Sequence, residues 1–226
     1  MGRGRERNMM VEYTTDNNKV LVAGTIDSPL SFSHQIYGEG FYTCFIAVPR
    51  LSEYIDHLPV TISERLIKDI DLGINKPIQI EGQLRSYNKF IDGANRLVLT
   101  IFAREITNEI SQDKNPNQIY LNGYVCKPPV YRTTPFNREI ADLLIAVNRP
   151  YNKSDYIPNI AWGRNARFAQ NIAVGDQIKI WGRIQSRKYQ KKYATGEVEE
   201  KSAYEVSISK MELVDDKTDE ILDEKQ

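Results

Sequence analysis

Tyr156 and Trp162 stand six residues apart in Asp155-Tyr-Ile-Pro-Asn-Ile-Ala-Trp-Gly-Arg-Asn-Ala166. Side chains alternate faces along a β-strand, so an even spacing sets both rings on one face. Arg164 follows two residues later. A second stretch, Arg187-Lys-Tyr-Gln-Lys-Lys-Tyr193, interleaves two rings with four cations. Aromatic rings stack on nucleobases at about 1–3 kcal/mol per base, whatever the base. Lys and Arg neutralise phosphates and release counterions. The two stretches therefore suit an extended polyanion that carries flat rings. Catalysis has no comparable support, because no Ser/His/Asp, Cys/His or paired-carboxylate pattern is evident. His34 and His57 have no carboxylate or cysteine pattern around them, and Cys44 and Cys126 read as small apolar fillers. No enzyme activity, cofactor or metal is expected.

These side chains need elements to position them. The chain has 226 residues, 41% of them apolar, enough for one large domain or two small ones. No long apolar run suggests a membrane span or a signal peptide. Two distant cysteines fit a reducing cytoplasm. Net charge is zero, but it is segregated. Residues 117–210 carry 15 Lys/Arg against 8 Asp/Glu, and residues 18–106 carry 9 against 10. Residues 211–226 carry 2 against 7. A basic region beside an acidic tail is common in proteins that bind polyanions.

An offset of 99 residues exposes a duplication. Asn18-Lys-Val-Leu-Val-Ala-Gly24 lies over Asn117-Gln-Ile-Tyr-Leu-Asn-Gly123, Pro29 over Pro128, and Phe45–Arg50 over Leu144–Arg149. After one inserted residue, Glu81–Ser86 lies over Trp181–Ser186. In the second copy, Gln118–Val125, Glu139–Val147, Ile157–Trp162, Gln177–Gln185 and Tyr204–Ser209 read as strands. Arg164–Ala173 reads as a short helix, with Ser63–Asp71 as its counterpart. The fold class is all-β, with two tandem OB-folds. Each is a five-stranded Greek-key barrel with a short helix between strands 3 and 4. The expected organisation is a flexible N-terminal arm (1–16), OB-fold 1 (17–106), a linker (107–116), OB-fold 2 (117–213) and an acidic disordered tail (214–226).

The second copy resembles the bacterial single-stranded DNA-binding protein family. The residues that carry the resemblance are Asn117…Gly123, Ala146-Val-Asn-Arg149, Asp155-Tyr-Ile-Pro158, Ala161-Trp-Gly-Arg164, Gly175-Asp176, Trp181–Arg187 and Tyr204-Glu-Val206. The resemblance implies sequence-independent binding of single-stranded DNA during replication, recombination or repair. It implies base stacking by Tyr151, Tyr156, Trp162 and Tyr189. Arg149, Arg164, Arg183, Arg187, Lys188, Lys191, Lys192 and Tyr193 complete the expected site. A chain with two barrels would reach the family's four as a homodimer, in the nucleoid-associated cytoplasm. Replication or repair proteins are possible partners.

The first copy departs from the pattern. His57 stands where the second has Tyr156, Ser63 where it has Trp162, and Lys89 where it has Tyr189. OB-fold 1 is thus expected to have a degenerate binding face. The tail ends Asp219-Glu-Ile-Leu-Asp-Glu-Lys-Gln226 and lacks the family's Pro-Phe tip. Bland roles compete at several positions. Trp162 could be a barrel-core residue, Trp181 a subunit contact, Tyr193 a cross-strand partner and Lys191-Lys192 a solubility feature. Arg3, Arg5 and Arg7 read as a disordered terminus. Two further readings remain: a primosome-like OB-fold adaptor that works through protein contacts, and an RNA-binding OB protein.

Overall fold

The computed structural model describes residues 17–50, 52–68, 70–91, 93–110, 115–192 and 196–214. The expected N-terminal arm and nearly all of the acidic tail lie outside these residues, as does the middle of the expected linker, 111–114.

The first half contains β1 (Asn18–Ile26), β2 (Ser31–Ile36), β3 (Glu39–Pro49), β4 (Ile55–Ser63), α1 (Glu64–Ile67), β5 (Pro77–Ile91) and β6 (Ala94–Thr107). The second contains β7 (Asn117–Val125), β8 (Val130–Thr133), β9 (Glu139–Arg149), β10 (Lys153–Trp162), α2 (Arg164–Ala169), β11 (Gln177–Lys192) and β12 (Val198–Leu213). In each half five strands pair into a closed ring. The first runs β1–β3–β4–β6–β5 and back to β1, with only the β4–β6 contact parallel. The second runs β7–β9–β10–β12–β11 and back to β7 in the same way. These are two tandem OB barrels, each with its helix between the third and fourth ring strands.

Alternation builds the barrels. In β7 the burial alternates throughout, with Ile119 and Leu121 inside and Tyr120 and Asn122 outside. In β10, Ile157, Asn159 and Ala161 are buried on one face. Ile80, Leu84, Ile101, Ile178, Ile180 and Val206 complete the interiors. Gly82 and Gly182 sit at matching β-bulges in β5 and β11. A Cβ there would lie 2.2 Å from the Phe102 carbonyl oxygen and 2.3 Å from that of Ser207. The closing corner therefore admits only glycine.

Three features differ from the sequence expectation. Strands β2 and β8 flank each ring on the outside, paired with β3 and β9. Both helices are shorter than expected. After Ala169 the backbone tightens into i to i+3 bonds, Gln170 N to Arg167 O and Ile172 N to Ala169 O. Ile172 still packs into the core. The largest difference is that the barrels share a sheet. β1 pairs antiparallel with β7, and Val20 faces Ile119, its own counterpart at the 99-residue offset. The duplicated chain thus folds around an internal twofold axis. The end of the connecting segment is tied to this seam, since Pro116 O accepts from Ala23 N at 2.8 Å.

Polar clasps flank the seam. Asp56 is fully buried, and its Oδ1 accepts the backbone N–H of Ser186 in the other barrel at 2.7 Å and the Ser186 hydroxyl at 3.2 Å. Arg50 grips both Asp56 oxygens at 2.7 Å. Across the axis, Asp155 Oδ1 accepts from Ser86 N at 2.7 Å, and Ser86 Oγ accepts from Tyr156 N at 2.7 Å. Removing one partner of a buried charged pair leaves the other uncompensated, at about 3–5 kcal/mol. Asp56→Ala should therefore lower the unfolding free energy by about that amount, read as a lower midpoint in urea. A loss below about 1 kcal/mol, the range of an exposed ion pair, would contradict the role given to the clasp.

Candidate nucleic-acid interface

Ile157, Asn159 and Ala161 of β10 turn into the barrel, which leaves Tyr156 and Trp162 outside. Tyr156 is 46% exposed and Trp162 is 38% exposed. Six residues of strand place them about 20 Å apart. Trp162 sits opposite Ile140 of β9 at the end of its strand, and Tyr156 opposite Ala146. Tyr151 lies in the turn before β10, 89% exposed, with a left-handed backbone (φ 63°). The neighbouring Asn152 is left-handed as well (φ 53°). This turn lifts the Tyr151 ring clear of the surface. Tyr189 is half-buried on the long β11–β12 hairpin, opposite Lys201. Three rings therefore follow one strand and its turn, and a fourth stands on the hairpin.

The cations are distributed differently. Arg164 is exposed at the start of α2, next to Trp162. Arg149 ends β9, with its Nε 3.4 Å from Asp155 Oδ2. Arg187 is exposed, 4.0 Å from Glu205, and Lys188 meets Glu200 at 2.9 Å. Lys191 faces Glu199 across the hairpin. The returning strand thus sets carboxylates against cations that look unopposed in Arg187–Tyr193. Such exposed pairs are worth about 0–1 kcal/mol, so a phosphate can displace the acid. Arg183 points toward the first barrel. Its pKa is lowered by burial and then by the Arg50 guanidinium, and Asp56 opposes the shift. The side chain of Lys192 and the whole of Tyr193 lie outside the described residues.

Sequence reasoning missed other exposed rings. Phe136 is 86% exposed in the turn before β9, and Phe168 is exposed on α2. The signal for Phe136 was a ring inside the polar turn Thr134-Pro-Phe-Asn137. Arg85, Arg104 and Lys153 were missed as well, and they line a cleft beside Tyr151. Trp181 packs outside its sheet against Tyr120, at 5.2 Å between ring centroids, with the Lys210 ammonium 4.6 Å above it.

The first barrel presents another surface at the matching positions. His57 is bound to Asp27 at 2.5 Å. Ser63 is buried and caps α1 while donating to Glu39. Hydrogen bonds from Ser63 and Arg65 hold the Glu39 carboxyl below its ordinary pKa. Its exposed rings lie elsewhere, at Phe32, Tyr37, Phe45, Tyr54, Tyr87 and Phe90.

Comparison with known proteins places this geometry. The profile of the single-strand binding protein family matches residues 116–214. The match to the single-strand binding protein family thus spans the second barrel. A single-stranded DNA-binding protein of Clostridium tetani (strain Massachusetts / E88) is 34% identical over 86 residues, 35% of this chain and 59% of that relative. The chain spans about half to three fifths of the length of the curated relatives it matches. The wild-type single-stranded DNA binding protein from Thermus aquaticus superposes with a TM-score of 0.69 over 88% of this chain and 93% of its own, at 19% identity. That likeness extends the shared fold to both barrels. The N-terminal domain of the PriB protein from Thermoanaerobacter tencongensis is 48% identical over 41% of this chain and 96% of its own length, with a TM-score of 0.37. In family terms, the matched region contains the whole β10 ring row.

The exposure of Trp162 predicts a small contribution to the core. Ile157→Ala, in a fully buried site, should cost about 2–5 kcal/mol. Trp162→Ala should cost less than half of the Ile157→Ala value in the same urea titration. Equal losses would make Trp162 a core residue.

Proposed function

We propose that the chain binds single-stranded DNA without reading its sequence, through the second barrel. The observation that carries this reading is the β10 row. Tyr156 and Trp162 are displayed on one face while Ile157, Asn159 and Ala161 hold the other face inside the barrel. A soluble strand gains nothing from two exposed rings unless something flat covers them. Tyr151, Tyr156, Trp162 and Tyr189 would stack bases. Arg149, Arg164, Arg187, Lys188, Lys191, Lys192 and Tyr193 would hold the backbone. Arg183 is the weakest member, because its charged neighbours Arg50 and Asp56 belong to the seam. The activity is binding and protection without chemistry. It would serve replication, recombination or repair, wherever single strands are exposed in the nucleoid-associated cytoplasm.

The first barrel has another role in this reading. Asp27 and Glu39 hold His57 and Ser63, the counterparts of Tyr156 and Trp162, so carboxylates stand beside positions that carry no Tyr or Trp. Its exposed Tyr54, Tyr87 and Phe90 favour protein contacts instead, which is the adaptor reading confined to this half. A homodimer would present four barrels. The half-buried Tyr120–Trp181 pair, with the exposed Lys210 over it on the outer face of the shared sheet, suits a contact between copies. Sedimentation at twice the mass of one chain would support the dimer, and sedimentation at a single chain's mass would exclude it.

Titration of oligo-dT, oligo-rU and duplex DNA at several salt concentrations tests the main reading. Oligo-dT should bind most tightly, with log affinity falling against log salt at roughly −0.7 per phosphate contacted. Trp fluorescence should fall on binding, and Trp162→Ala should weaken binding by about 1–3 kcal/mol. Preference for duplex DNA would overturn the reading, and preference for oligo-rU would make the target RNA.

A further inference from the structure

The two sides of the internal axis are not equivalent. On the Asp56 side, Arg50 closes on the carboxylate with two short bonds. Residue 185 there is Gln, bound to Glu205 at 2.8 Å. On the Asp155 side lies an open cleft of about 790 Å³ between the barrels. Its walls carry Arg85 and Arg104 from the first barrel and Arg149 and Lys153 from the second, with Tyr151 at the rim. Among the described residues that line it, Asp155 is the one carboxylate facing these four cations.

The cleft holds its cations close together without neutralising them. Gln83 Oε1 accepts from Arg85 at 2.6 Å and from Arg104 at 3.3 Å. Both guanidiniums also lie 5.5 Å from the centre of the Phe102 ring. An amide and a ring therefore position two like charges side by side. Asp155 is fully buried, and its Oδ1 is spent on Ser86. Its Oδ2 lies 3.4 Å from Arg149 Nε and 4.0 Å from Arg85 Nε, and none of these three atoms has a hydrogen-bond partner. One oxygen cannot satisfy two guanidiniums at these distances. Burial, together with Arg149 and Arg104, pushes the Arg85 pKa down to about 10 against the pull of Asp155. The rest of the lining is rich in amides, among them Asn122, Asn148 and Asn152. Such a site favours a hydrated anionic backbone over an apolar group.

We propose that this cleft is a phosphate site that takes the single strand past Tyr151 and onto Arg85 and Arg104 of the first barrel. The proposal rests on the single-strand reading above. It makes the first barrel a contributor to binding through its seam, although its own ring positions are empty. A strand short enough to end at Tyr151 would leave these arginines unfilled, whereas a longer strand would run on to them.

The test uses the full chain. Arg85→Gln/Arg104→Gln is compared with wild type on an oligo-dT of about 8 residues and one of about 30, since one OB barrel covers roughly 4–16 nucleotides. Both proteins should bind the short oligonucleotide alike. The variant should lose at least about tenfold on the long one at low salt, the effect of one charge-assisted hydrogen bond. Its salt slope should be shallower by about 0.7 for each phosphate that the variant no longer neutralises. Arg104→Gln alone, at an exposed residue without contact to Asp155, should show part of the same loss and covers the case of an unstable double variant. Unchanged affinity and slope on the long strand would overturn this proposal alone. Equal loss on both lengths would put the arginines on the ring path and overturn the extension. Failure of wild type on both lengths would overturn the single-strand reading and this one together.

Discussion

Val20 meets Ile119 across β1 and β7, and this antiparallel pairing fixes where every other surface lies. Each strand would otherwise be left with a row of unpaired backbone groups on that side. Pairing them satisfies both and joins the barrels back to back about a twofold axis. The buried clasps of Asp56 on Ser186 and Asp155 on Ser86 lock the register. A slip of one residue would set the core face of one strand beside the outer face of the other and strand both carboxylates. Such buried charges add little net stability, but they make misalignment costly.

Once the seam is fixed, the two halves are free to differ at their faces. Both barrels keep the closing glycines, the bulges and the Asp–Ser clasps. The second keeps rings at the outward positions of its third ring strand. In the first, a His–Asp pair and a buried helix-capping Ser occupy those positions, with Glu39 beside them. The frame and the ring face are therefore separable. The frame depends on apolar alternation and on corners where no Cβ fits. The face depends on side chains that lie outside both barrel interiors.

Much of this was legible in the sequence, for physical reasons. Apolar alternation marks β7, β10 and β11 because a half-buried strand must alternate. The repeat, offset by 99 residues and by 100 after the insertion, survives because Gly24, Asn18, Asp56 and Gly82 each do the same structural work as Gly123, Asn117, Asp155 and Gly182. The even spacing of Tyr156 and Trp162 set them on one face, and they are on one face. The seam was not legible. Lys19 and Leu21 reveal which way β1 faces, but pairing with β7 runs through backbone groups that carry no residue signature. A polar linker read as a spacer thus hid a shared sheet. β2 escaped because all six of its residues are exposed and leave no burial pattern. Arg85 and Arg104 escaped because they sit in the half whose rings are missing. The acids facing Arg187–Lys192 escaped because only the hairpin register aligns them.

In the proposed reading, bases stack on the β10 ring row. Photocross-linking of the full chain to an oligo-dT carrying halogenated uracil, followed by mass spectrometry of the adducts, examines that contact directly. The account predicts adducts at Tyr151, Tyr156, Trp162 and Tyr189, and none at His57 or Tyr54. Adducts concentrated on the first barrel's own face, with the β10 rings untouched, would contradict it.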